Sequence, residues 1–454
     1  MRQKREAVLS FAVIDPCQPE IVIQRVEKYK RLDARLNQHP ELVTLAHRDL
    51  QKLSRGGRKG RKGVHTSETI LRTLLVMIVE GLSFRDTIAL IGTSPFLQDF
   101  TRLGGRPVMD FTFLDKCVHA IAPETWQQMN DVLARQAAAE GLIDPSAIRT
   151  DTTVIEANIH FPTDSSLLWD SWRVLARELR RAQKRCHYPL GHRFHDKKVK
   201  ALHLYVTRYA KSPSKGRQRT VRSKFRTLVG RVRWVAQIAE SFCAEVAGTL
   251  DFELAGIAAA LRDFLPAVHT VIDTAERAGL RGEKVPASER VFSIFEPHVE
   301  LIKRGKRSKP VEFGHKIILS QVRQKFITHF ETLEVQEADC QLTEPAAEGH
   351  KDIFGAYPDA LAGDKGMGPR AEKRAALEKK VKVVAIPRRL KDWGDEAMVE
   401  WQAFRAGIEG TISVLKRAFR LGRCLLRGFK RFASAVGLSI VCHNLVVLAA
   451  HGIT

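Results

Sequence analysis

Three acidic residues of the 454-residue chain stand where a carboxylate is costly unless something compensates it. Asp151 falls inside residues 147–159 (AIRTDTTVIEANI), a β-branched run with apolar or small side chains at both parities, which reads as a central strand covered on both faces. Asp364 ends a short apolar run and precedes Lys365 and Gly366. Glu409 lies beside Phe404, Ile408, Ile412 and Leu415, whose spacing is that of a buried helix stripe. Hard oxygen donors of this kind bind Mg²⁺ or Mn²⁺, and two such ions about 3.5 to 4 Å apart can activate an attacking oxygen and stabilise a leaving one in phosphoryl transfer. The suggested chemistry is that of a metal-dependent nuclease. Spacing alone selects weakly, because 51 Asp and Glu offer many triples. Asp352 and Asp359 compete for the second position, Glu156 points to the strand face opposite Asp151, and Asp164 suits a helix cap.

Charge indicates what such chemistry would act on. Lys and Arg total 74 against 51 acids, a net +23, which favours a polyanionic partner. Between Arg173 and Arg233 there are 20 cations and only two acids, Glu178 and Asp196, with Tyr188, Phe194, Tyr205, Tyr209 and Phe225 interleaved. One-sign charge on this scale repels itself unless a polyanion meets it, and cations alternating with aromatic rings suit phosphates and bases. Arg217, Arg219, Arg222, Lys224 and Arg226 are the expected DNA contacts in this segment. Cys186, His187, His192, His195 and His203 lie there too, but their spacing matches no common zinc site.

The elements that must position these residues follow from local pattern. Residues 1–64 read as a helical arm ending in a basic tract, 55–63 (RGGRKGRKG), able to follow phosphates. A helix capped by Thr66 or Ser67 carries Ile70, Leu71, Leu74, Leu75, Ile78 and Val79 and ends at Gly81; Ser83 caps the next, with Asp86 three residues on. Two short helices about a glycine turn are helix-turn-helix-like. Helix is expected over 111–140, then the Asp151 strand, then a helix capped by Thr163 or Asp164 with Leu168, Trp172, Leu175 and Leu179 inside. An amphipathic helix over 234–265 should stop at Pro266, and strands over 291–302, 311–320 and 326–335 should form an antiparallel meander. Residues 382–386 (KVVAI) make one more buried strand.

With 44% hydrophobic and 28% charged residues, the composition excludes disordered and collagenous chains. Seven scattered cysteines without a C-x-x-C pair suit reduced thiols and a cytoplasmic protein. The basic N-terminus precedes an apolar run too short for a secretory signal. Residues 433–450 are apolar enough to span a membrane, but Ser434, Ser439, His443 and Asn444 indicate a buried core helix and no membrane partner.

Three longer blocks carry a resemblance. DTTVIEANIHFPTDSSLLWDS, GDKGM around Asp364, and RAGIEGTISVLKRAFRLGR with the later HNL look like bacterial insertion-sequence DDE transposases, closest to the ISNCY type. The resemblance runs from about Ser67 to His443, including LRTLLVMIVEGLSFRD. It implies an α/β protein: an RNase H-like catalytic domain over 146–170 and 291–454, a basic helical insertion over 171–290, and a preceding all-α helix-turn-helix-like domain over 65–145. It implies Asp151, Asp364 and Glu409 as catalytic triad and ligands of Mg²⁺, with Mn²⁺ as substitute. Arg405 and Lys416 are similar to the Y-R-E-K signature of that family and would hold phosphates, whereas Gln402 stands in the tyrosine position. Implied partners are double-stranded DNA, as terminal inverted repeats and target, and a second copy of the chain, forming a dimer on DNA. A catalytically inactive, DNA-binding descendant would keep the basic segment while its acids decayed.

Overall fold

A computed structural model describes residues 2–7, 17–53, 64–303, 310–387 and 396–451. The basic tract at 55–63 lies outside them. The chain forms two compact units, residues 1–158 with 314–454, and residues 159–313 inserted between.

The first unit opens with helices α1 (Glu20–Gln38), α2 (Pro40–Leu50), α3 (Ser67–Val79), α4 (Phe84–Thr93), α5 (Pro95–Phe100), α6 (Phe111–Ala120) and α7 (Pro123–Ala139). Their starts are written locally. Thr66 Oγ1 accepts from the Thr69 N–H at 3.1 Å and Ser83 Oγ from that of Asp86 at 3.2 Å. Gly81, at φ +66°, turns the chain between α3 and α4 as only glycine does without strain. The helices expected over 111–140 are α6 and α7, divided where Pro123, which lacks the N–H that a helix interior requires, opens α7. Strand β1 (Ala147–Ala157) then enters the core.

The inserted unit holds α8 (Asp164–Arg185), α9 (Asp196–Tyr209), α10 (Lys215–Glu245), α11 (Phe252–Ala275) and the short β2 (Glu300–Lys303). Thr163 caps α8 in a reciprocal pair with Ser166, so Asp164 is the first helical residue and instead pairs with Arg290 at 3.1 Å. The boundary expected at 170 falls inside α8. Two expectations fail here. Pro266 lies within α11 instead of ending a helix before it. One lost backbone bond costs about 3 kcal/mol, which burial of Leu261, Leu265, Val268 and Val271, at roughly 1.5 to 3 kcal/mol each, exceeds. Of the strand expected over 291–302 only Glu300–Lys303 forms, since Phe292 and Ile294 are buried from irregular backbone.

The chain re-enters the first unit along β3 (Val311–Gln321), followed by β4 (Ile327–Thr332), α12 (Thr343–Phe354), β5 (Ala360–Ala362), α13 (Ala371–Glu378), β6 (Val383–Ala385), α14 (Glu396–Ala418), β7 (Arg423–Cys424) and α15 (Phe429–Ala450). In this unit the sheet runs β3-β1-β5-β6, with β4 against β3 and β7 against β1. It is mixed: β3 is antiparallel to β1 and β4, whereas β5, β6 and β7 pair in parallel. Gly314 is required, because a Cβ there would collide with the Ile155 carbonyl of β1.

Among the described residues two helices, over Phe252–Arg281 and Phe429–Ala450, are long and apolar enough to cross a membrane by length and composition. The second is a core helix, with 78% of its apolar window buried. Its Asn444 accepts from the Ile327 N–H at 2.9 Å and donates to the Ile327 carbonyl at 2.7 Å, clasping β4 from the side.

Candidate active site

Strand β1 supplies the centre of the site. Its flank opposite β3 pairs with β5 only at Ala147, Ile148 and Arg149, and with β7 only from Glu156. Between those contacts β1 has no strand partner on that flank among the described residues. Helix α14 serves this gap. Lys416 Nζ donates to the Val154 carbonyl at 2.8 Å, taking a bond that a ladder would otherwise make. Arg149 Nη1 donates to the Phe404 carbonyl at 2.8 Å, its Nε to Gln321 Oε1 at 2.8 Å, and its guanidinium lies 5.1 Å from the Phe404 ring.

These two ties fix the register of Glu409 against Asp151. From Arg149 to Val154 the strand advances about 17 Å, and from Phe404 to Lys416 the helix advances about 18 Å. Asp151 lies about 7 Å along the first interval and Glu409 about 7.5 Å along the second, so the two acids come level. Asp364 reaches the same place from β5. Arg149 pairs with Ala362, and two residues further on each strand stand Asp151 and Asp364. The Asp364 carboxylate caps the turn 365–367, accepting from the Met367 N–H at 2.9 Å.

The electrostatics agree with this placement. Burial pushes the Asp151 carboxyl up to about 6, and the negative charges of Asp364 and Glu409 add to the rise. The Thr152 N–H, donating to Asp151 Oδ1 at 2.7 Å, and the nearby Arg405 oppose it. Acids from two other elements thus act on Asp151. Glu409 is the exposed member, 61% accessible, and pairs with Arg405 at 2.9 Å one turn earlier. Gln402 is buried, with Nε2 lacking a partner among the described residues.

The donor set of three carboxylates is that of a hard divalent cation, which would relieve the crowding of charge at Asp151. Among the described residues, no group of three or more His, Cys, Asp or Glu stands close enough to hold a metal as the side chains are placed.

In the inserted unit Arg217, Arg219, Arg222 and Arg226 of α10 are exposed and Lys224 is half-buried. None of the five forms an ion pair among the described residues, whereas Arg181, Arg185 and Arg233 do, with Glu178, Glu253 and Glu276. Lys224 Nζ lies 5.0 Å from the Tyr205 ring and the Arg217 guanidinium 4.7 Å from that of Tyr209. The opposite face of α10 buries Phe225, Leu228, Val229 and Val232 in the core of the unit.

Sequence reasoning missed Arg149, whose buried cation inside a strand is itself a signal. It also missed Lys316 and Asp339, which no local pattern marks.

Residues 303–445 match the family described as Transposase DDE domain. The match takes in Asp364, Arg405, Glu409 and Lys416, covers less than a third of the chain, and leaves Asp151 outside. No curated protein and no solved structure matches. The family match and the helix-rich fold around a mixed sheet support a DDE-type transposase.

Proposed function

We propose that the protein is a DNA transposase that binds the ends of its own insertion sequence, cuts them, and joins the freed 3′ hydroxyl to target DNA. The observation that carries this reading is the match of residues 303–445 to the Transposase DDE domain family, and the charges of Asp364 and Glu409, both inside it, add to the rise of the Asp151 carboxyl. The sheet is read as RNase H-like, and α3 and α4 as a helix-turn-helix. Asp151, Asp364 and Glu409 would hold Mg²⁺, or Mn²⁺ in its place, which when bound supplies Lewis-acid stabilisation of the phosphate undergoing transfer. The chain's own residues do the rest. Arg405 exchanges Glu409 for a DNA phosphate, Lys416 steadies β1 and presents its charge beside the scissile strand, and the cations of α10 hold duplex DNA. Two element ends must meet, so the working form is an oligomer, a dimer on DNA, acting in the cytoplasm.

The test is incubation with DNA carrying the element's ends and Mg²⁺, scoring cleavage and joining separately. Both products are expected. Binding without either product on verified ends would instead support an inactive, DNA-binding descendant.

A further inference from the structure

A second polar cluster lies against the same acids and is used by none of the chemistry above. Lys316 of β3 is almost fully buried, its side chain one-tenth exposed. Its ammonium donates to Asp339 Oδ1 at 2.7 Å and to the Glu337 carbonyl at 2.8 Å. A buried ammonium is tolerated only with such partners, so the segment around Asp339 is tied to the sheet by an interaction that is expensive to break. Asp339 Oδ1 also accepts from the Thr152 hydroxyl at 3.2 Å, and Thr152 follows Asp151 directly. The cluster therefore meets β1 at the residue next to Asp151.

The same segment reaches the other aspartate. A Cβ placed on Gly366 would lie 3.3 Å from Asp364 Oδ1 and 3.8 Å from Asp339 Oδ2, so the two carboxylates flank one glycine of the 365–367 turn. Thr343, four residues after Asp339, donates its hydroxyl to the Met367 carbonyl, and the Met367 N–H in turn binds Asp364. Residues 339–343 therefore touch β1 beside Asp151, β3 through Lys316, and the turn that aims Asp364.

We propose that Lys316 and Asp339 are positioning residues, bracing the Asp364 turn against β1 so that the Asp151 and Asp364 carboxylates are held at a fixed separation. The inference rests on the reading of those two acids as metal ligands. Partners that orient ligands without touching the metal are typically worth about 10- to 100-fold in metal affinity.

The experiment is Mn²⁺ titration of the full-length protein, reading free Mn²⁺ by electron paramagnetic resonance, with urea midpoints recorded for every variant. Asp339→Ala and Lys316→Met are expected to weaken Mn²⁺ binding about tenfold or more. Asp339→Asn keeps the Oδ1 acceptor for Lys316 and Thr152 and is expected to retain most of the affinity. Asp364→Asn is the reference. If it binds Mn²⁺ as wild type does, the reading of the site itself fails. If Asp364→Asn loses affinity while Asp339→Ala does not, the site stands and the bracing role is overturned. If Asp339→Asn loses as much as Asp364→Asn, Asp339 is a ligand and positioning is again overturned. Asp339→Ala leaves the buried Lys316 ammonium without its carboxylate, so the urea midpoints decide which variants are read as folded, and Asp339→Asn, which keeps the acceptor, is expected to fold where Asp339→Ala or Lys316→Met does not.

Discussion

Asp151 is the residue on which the site turns, and its environment makes a prediction that needs neither DNA nor metal. Its carboxyl is raised from the ordinary 3.8 to about 6, first by burial and then by Asp364 and Glu409. The folded state therefore binds this proton more tightly than the unfolded state. The resulting stabilisation is full below about pH 4 and is lost as the pH rises through about 6, amounting to about 3 kcal/mol. Asp151→Asn, which keeps the Thr152 hydrogen-bond acceptor, should in metal-free buffer be more stable than wild type at pH 7 by up to that amount. At pH 4 the two should converge. Urea unfolding at both pH values checks this, and a difference independent of pH would mean that the Asp151 carboxyl is not raised. Asp151 was legible in sequence because an acid in a β-branched run stands out. Asp339 was not, because its partners Thr152 and Lys316 are 187 and 23 residues away and no local periodicity links them.

At the scale of elements, the ties between β1 and α14 decide whether Glu409 meets Asp151. Gly407 sits at the crossing, where a Cβ would collide with the Arg149 guanidinium. Alanine in place of glycine inside a helix ordinarily stabilises by about 1 kcal/mol. Gly407→Ala should instead destabilise by about 1 to 3 kcal/mol, because Arg149 is held by Gln321 and Phe404 and cannot yield freely. A urea midpoint raised by this substitution would contradict the close packing. Helix starts and strand β1 were readable from caps and β-branched runs, as Thr66, Ser83 and Thr163 show. Pro266 misled because burial of α11 on its neighbours outweighs a local rule, and only tertiary packing reveals that. The HNL block now has a structural account in Asn444, which clasps β4, and need not contribute chemistry.

For the whole molecule, the two units divide the work proposed for it. The first unit holds the acids, and the inserted unit carries cations of α10 that no acid among the described residues pairs with. Neutralising several of Arg217, Arg219, Arg222, Lys224 and Arg226 should weaken DNA binding across sequences. Each lost phosphate contact should flatten the slope of log affinity against log salt by about 0.9. An unchanged slope in a folded variant would remove α10 from the interface. The net charge and its concentration between Arg173 and Arg233 were plain in sequence, whereas the pairing of Arg185 and Arg233 with Glu253 and Glu276 was not, since those acids come from other elements.

The central claim is that Asp151, Asp364 and Glu409 form one phosphoryl-transfer site on a protein whose DNA affinity comes from elsewhere. The most direct measurement is cleavage of end-bearing DNA with Mg²⁺ or Mn²⁺ by Asp151→Asn, Asp364→Asn and Glu409→Gln, with DNA binding measured beside it at one fixed salt. Each variant should bind DNA at least as well as wild type, since removing a carboxylate near phosphate relieves repulsion, yet lose cleavage. A double variant should be little worse than the poorer single one, as members of a cooperating site are not additive. Cleavage near the wild-type rate by any one of the three would contradict its place in the site.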